Sequence, residues 1–258
     1  MKSIKKILKI FLIALFWIGV WELVALTVNQ ELFVPSPVSV IKCGAKLFIT
    51  ASFWSTILNS VFRVFLGTLI AVILGIILAL ITSKYNILYD LFYPFLNIVK
   101  ATPVASFITL VLIWMGSKRV PVFICALMVF PIIWSAVSDG IKAIDQKHKE
   151  LAQVFSFPFE KRLRIIYLPT IAPYFLSAFK TSIGLAWKAG VAAEVLAVSP
   201  NSIGKELFNA KTYYEVPELF AWTITVIILS IALETLMSKL LHLIGKKYSF
   251  VRSYAENN

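Results

Sequence analysis

Six stretches of this sequence stay apolar for about twenty residues, and that feature constrains the fold more than any motif does. They run at roughly 8–28, 61–82, 91–116, 119–138, 171–197 and 217–243. A bilayer core of about 30 Å needs about 20 mostly apolar residues in a helix. Of the 258 residues, 59% are hydrophobic and 15% charged, against about 45–50% and about 25% in soluble domains. The expectation is an all-α polytopic membrane protein with about six transmembrane helices. The third stretch is interrupted by Lys100 and Pro103, so it is expected to bend, leaving five crossings or six with one bent; six is the expected number.

The net charge of +12 would favour nucleic acid in another setting. Here Lys and Arg flank the apolar stretches, as the positive-inside bias requires, and nucleic acid is excluded as a partner. Lys9, Lys84, Lys142, Lys147, Lys149, Lys161, Arg162, Arg164 and Lys239 fall on one face, together with Lys2, Lys5, Lys6, Lys246, Lys247 and Arg252. Lys42, Lys46, Lys118, Arg119, Lys205 and Lys211 fall on the other. The richer face is expected to be cytoplasmic, with both termini inside. The basic N-terminus resembles the start of a signal peptide, but its apolar stretch is too long and contains Trp17, Trp21 and Glu22, so an uncleaved first helix is expected. Cys43, Cys125, His148 and His242 make neither a disulfide framework nor a metal spacing, and no metal or cofactor is expected in this chain.

Two stretches carry small residues on one face: Gly67, Thr68, Ala71, Gly75 and Ala79 in the second, and a run from Ser177 to Ala193 in the fifth. Such faces let helix backbones approach closely in lipid. Between 29 and 60, Pro35 and Pro37 lead into a short amphipathic segment near 38–50.

The longest polar connection, 139–170, reads as two short amphipathic helices. Asp145 is suited to cap the first, which places Leu151, Val154 and Phe155 on one side. Ser156-Phe157-Pro158 breaks it, and Pro158 suits the first turn of a second helix with Leu163 and Ile166 among charges. Pro169 is expected to end that helix before the fifth apolar stretch.

Glu150-Leu151-Ala152, Ser156 and Ile166-Tyr167-Leu168-Pro169 together resemble the Glu-Ala-Ala loop of permease subunits of bacterial ABC importers. The spacing matches throughout, and Ser156 stands where that pattern has Gly. Lys100-Ala101-Thr102-Pro103, Leu112 to Gly116, Gly184-Leu185-Ala186-Trp187, Ala193-Glu194, Asn201 to Gly204 and Phe220-Ala221-Trp222 resemble the nitrate, sulfonate and taurine branch. The resemblance covers essentially residues 31–245.

It implies the type I ABC importer permease fold as a single transmembrane domain over 1–258, with a cytoplasmic coupling loop at about 139–170. Two copies, as a homodimer, would form the path in the bacterial inner membrane. A separate ATPase dimer would dock on the coupling loops, and an extracytoplasmic binding protein would deliver the solute: a sulfonate, nitrate, taurine or a vitamin-precursor-like compound. Glu150, Leu151, Ala152, Phe155, Ser156, Ile166, Leu168 and Pro169 are the coupling residues so implied. ATP and magnesium would be bound by the ATPase alone. In agreement, the phosphate-binding loop Gly-x-x-x-x-Gly-Lys-Ser/Thr is absent from the sequence, and the chain is expected to be a transport subunit with no catalytic residue. An ion-coupled secondary transporter, which uses inverted repeats and discontinuous helices, or another polytopic protein outside the ABC class is the alternative.

Ionisable groups within membrane stretches usually face the bundle interior or a water-filled path. Arg63 and Lys180 are expected to snorkel toward headgroups. Lys188, Glu194 and Lys100 are the candidates for the path. Lys188 and Glu194, six residues apart, point to different sides of one helix; Lys188 either attracts an anionic substrate or pairs with an acidic group on another helix.

Overall fold

A computed structural model describes residues 2–247 of the chain. Side chains are described from Leu8 to Leu241 except that of Ile10, so the side chains of Lys2, Lys5, Lys6, Lys246 and Lys247, on which the orientation of the termini partly rests, are not described, and Arg252 lies outside the described residues. The chain folds into helices α1 (Lys2–Val28), α2 (Pro37–Phe48), α3 (Ala51–Lys84), α4 (Asn86–Ala101), α5 (Val104–Trp114), α6 (Val120–Lys142), α7 (Gln146–Val154) and α8 (Phe159–Arg162). A π-helical turn (Leu163–Tyr167) then leads into α9 (Leu168–Ala197), followed by α10 (Ile203–Thr212) and α11 (Val216–Lys247).

All six apolar stretches are helical. Among the described residues α1, α3, α6 and α11 are each long and apolar enough to cross a membrane, and the pair α4 and α5 makes a fifth candidate. Helix α9, with 30 residues, is long enough but too polar along its length to qualify by composition, so six crossings are reached only if α9 is counted. It touches α3, α5, α6, α10 and α11; that packing buries Glu194, while Lys180, Thr181 and Lys188 lie on its exposed face.

The third stretch bends as Lys100 and Pro103 predict. Pro103 denies a helical bond and pushes Thr102 into extended backbone, and α4 and α5 diverge by 106°. Helix α3 starts ten residues earlier than its apolar run implies, because the Thr50 side chain accepts from Phe53 N at 3.3 Å and caps the helix there. Residues 51–60 are amphipathic, with Phe53, Ile57 and Ser60 buried.

The centre of the molecule is α6, packed against both α3 and α9. The expected small face of α3 is the contact: Gly67, Thr68, Ala71, Gly75 and Ala79 are all buried. A Cβ at Gly67 would lie 2.5 Å from the Val122 carbonyl oxygen, so only glycine permits the approach. Trp134 anchors the other end, donating to Thr82 Oγ1 at 3.0 Å and stacking on Tyr89 at 5.1 Å. Helix α1 stands apart and meets the rest chiefly through Trp21, which donates to the Pro35 carbonyl at 3.0 Å and stacks on Phe220.

Candidate functional site

Arg63 does not snorkel. It is 9% exposed, and its Nη1 lies 3.3 Å from Glu194 Oε1, while Nη2 donates to the Pro200 carbonyl at 2.6 Å. A charge held in a packed interior is stabilised by pairing with another, and the partner here is 131 residues away in sequence. Glu194 Oε2 also accepts from Ser60 Oγ at 2.8 Å and from Gly204 N at 3.3 Å. Ser60 Oγ in turn accepts from Ile203 N at 3.0 Å. The carboxylate thus sits at the N-terminus of α10, where exposed amides and the helix dipole favour an anion. A Cβ at Gly204 would run into the Cβ and carbonyl carbon of Glu194, so glycine is required for this close seat. Val198 and Asn201 take left-handed φ values of 47° and 46° to turn the chain from α9 into α10. Glu194, a candidate for the path, is therefore wholly engaged in joining α3, α9 and α10.

Lys188 has the opposite placement. It lies on the exposed face of α9 with Ser177, Thr181, Leu185 and Ala192, at spacings of three to four residues that keep one face of a helix. Lys188 and Glu194 do point to different sides. Further along this face Tyr174, Ser177 and Thr181 line a cavity of about 450 Å³ with Lys100, Ser135 and Asp139. Lys100 Nζ donates to Ser135 Oγ at 3.2 Å. Lys100 and Lys188 thus border one exposed face of α9, polar except at Leu185 and Ala192, and Glu194 does not join them. Glu234 on α11 is a further acidic group within a span; Ser230 Oγ donates to its Oε1 at 3.3 Å. Its position in the middle of the last apolar stretch was the available sequence signal.

In the connection 139–170, Asp145 caps α7 by accepting from Lys147 N at 2.9 Å. The helix closes with Phe157 N donating to the Ala152 carbonyl at 2.9 Å and Ser156 N to the Gln153 carbonyl at 3.0 Å. This bond pair is the Schellman arrangement, whose C′ residue is left-handed and usually glycine. Ser156 occupies that position with φ 47°.

Ala152 and Ile166 are buried and form a small core with Ile144, Phe157 and Tyr167, over which Lys161 sits 4.0 Å from the Phe157 ring. Leu151, Val154, Phe155 and Phe159 are exposed, Val154 and Phe155 by 80% and 66%. Glu150, Ser156 and Leu168 are also exposed, and Pro169 is half-buried.

Pro169 does not end the second short helix. A proline would break a regular α-helix by lacking the N–H that bonds four residues back. Here the π turn precedes it, with Leu168 N donating to the Leu163 carbonyl, and Thr170 Oγ1 donates to the Ile166 carbonyl at 2.8 Å. Helix therefore runs unbroken from Phe159 into α9.

A model of the family described as binding-protein-dependent transport system inner membrane component matches residues 71–249. The chain is 25% identical over 208 residues to the putative aliphatic sulfonates transport permease protein SsuC of Bacillus subtilis, over 79% of this chain and 74% of the relative. It is 24% identical over 221 residues to the taurine transport system permease protein TauC of Escherichia coli, over 83% and 80%. In fold it is similar to a chain from the crystal structure of an amino acid ABC transporter with histidines. That match has a TM-score of 0.59 and 17% identity, covering 79% of this chain and 94% of the other.

Proposed function

Because this chain belongs to the family of binding-protein-dependent transport system inner membrane components, we propose that it carries a small sulfonate-like anion across the membrane. It is a multi-pass permease subunit of an ABC importer with the type I permease fold, a transport subunit rather than an enzyme. The observation that carries the substrate class is the exposed face of α9, where Lys188 and Lys100 supply positive charge against the single carboxylate of Asp139, and Ser135 offers a hydroxyl, in a membrane-spanning bundle. Aliphatic sulfonates and taurine, named for the two relatives, have the acidic head such a face would hold.

In this reading the whole chain is one transmembrane domain, and two copies meet across this face of α9 to enclose the path. The segment 139–170 and both termini are cytoplasmic, as the Lys and Arg bias requires. A separate ATPase dimer, which alone binds ATP and magnesium, docks on α7. The exposed Leu151, Val154, Phe155 and Phe159 meet its groove, while Ala152 and Ile166 hold the loop together from within. The unbroken helix from Phe159 into α9 then carries ATPase closure to the face that bears Lys188. An extracytoplasmic binding protein delivers solute on the opposite face, where α2 and α10 lie.

The test is uptake of radiolabelled alkanesulfonate by vesicles holding the chain with its ATPase and binding protein. Lys188→Gln is expected to cut uptake about tenfold, the loss of roughly one charge contact, with ATPase association retained. Unchanged uptake in that variant would remove Lys188 from the path.

A further inference from the structure

Lys118 and Arg119 run against the charge bias, and the transport reading does not employ them. They sit in the turn between α5 and α6, at the mouth of a cavity of about 680 Å³ between α3 and α6. Asn59 and Arg63 complete the mouth. Arg63 is committed to Glu194 and to the Pro200 carbonyl, so the free positive charge is that of Lys118 and Arg119, both exposed. Helix α6 adds to it. Its N-cap is Arg119, which makes no side-chain bond to the first turn, so the positive end of the helix lies at the same mouth.

Below the mouth the wall is apolar, with Phe62, Leu66 and Ile70 on α3 opposite Val122 and Phe123 on α6. From Asn59 to Ile70 the helix rises roughly 16 Å at about 1.5 Å per residue, about half of the roughly 30 Å hydrocarbon core. The slot is therefore one leaflet deep. It is separate from the exposed α9 face, since α6 presents Val122 and Phe123 here and Ile132 and Ser135 to the Lys100 cavity, well apart around the helix.

We propose that this slot binds a phospholipid with an anionic headgroup. Lys118 and Arg119 hold the phosphate, with the positive end of the α6 dipole behind them, and one acyl chain lies along Phe62, Leu66 and Ile70. The outer leaflet as its source rests on the orientation proposed above; the binding itself does not.

Full-length chain in neutral detergent, offered phosphatidylglycerol or phosphatidylcholine with identical acyl chains, is examined by native mass spectrometry. The wild type should retain phosphatidylglycerol with a roughly ten- to thirtyfold preference, the scale of about two basic contacts. Lys118→Gln with Arg119→Gln should reduce this to parity. Lys42→Gln with Lys46→Gln, which removes equal charge from the same face, should leave the preference intact. Ile70→Trp, which fills the slot without touching its charge, should lower retention of phosphatidylglycerol. An undiminished preference in the Lys118 and Arg119 variant, full retention in Ile70→Trp, or displacement of the lipid by inorganic phosphate at equal concentration would overturn the proposal. The readout is bound lipid, so failure here leaves the transport reading untouched, and failed uptake leaves this one untouched.

Discussion

Arg63 on α3 and Glu194 on α9 meet at 3.3 Å inside the helix bundle, and between them they fix the chain that links α9 to α10. Arg63 donates to the Pro200 carbonyl, and Glu194 accepts from Gly204 N. Both sides of the turn are thereby tied to the same ion pair.

Breaking that pair from one side should be costly, because the other charge is left buried and unpaired. Arg63→Ala is expected to destabilise the chain by about 3–5 kcal/mol, read as a lower thermal midpoint in detergent. Glu194→Gln leaves the Arg63 cation buried without its counter-charge, held only by the Pro200 and Asn201 carbonyls, and should also lower the midpoint. Equal midpoints for wild type and Arg63→Ala would contradict the burial of the pair.

Three glycines separate close approach from mere smallness. Gly67→Ala and Gly204→Ala each push a Cβ into backbone atoms, of Val122 and Glu194 respectively, and should sharply reduce the folded yield. At Gly184 the nearest atom is Glu234 Oε1 at 2.6 Å, the far end of a flexible side chain. Gly184→Ala should therefore cost under about 1.5 kcal/mol, the range of a modest side-chain rearrangement.

Ser156 holds a left-handed conformation that costs a non-glycine residue about 1–2 kcal/mol. Ser156→Gly should stabilise α7 by about 1 kcal/mol once the greater freedom of unfolded glycine is deducted. Slower amide exchange in residues 147–155 would register the gain, and faster exchange would refute it.

Val154 and Ala152 are two residues apart and opposite in environment. Val154→Asp lies on the exposed face and should abolish co-purification of the ATPase while leaving the stability within about 0.5 kcal/mol of wild type, as surface substitutions usually do. Ala152→Asp buries a charge in the core with Ile144 and Ile166 and should unfold the loop itself. If Val154→Asp retains the ATPase, the docking face lies elsewhere.

Much of the architecture is legible locally. The apolar stretches, the bend at Pro103, the Asp145 cap and the small face of α3 all follow from residues near one another in sequence. The stronger departure at Pro169 was not legible, since proline normally stops a helix. Only the π turn before it, held in part by the packing of Ile166 on Ala152, lets the helix continue. The environment of Arg63 was equally hidden, because snorkelling and pairing begin from the same residue in the same apolar run.

Hydrophobic length and charge placement by themselves determine that this chain is a bundle of membrane helices, because lipid demands long apolar helices whatever their neighbours. The Glu150 to Pro169 pattern likewise marks the segment proposed to meet the ATPase. Only the tertiary structure decides which face of each helix meets protein. That choice buries Glu194 against Arg63, leaves Lys188 exposed on α9, and turns Ala152 inward while Val154 faces out. The physical reason is that pairing and burial depend on contacts between helices far apart in sequence, which no local pattern encodes.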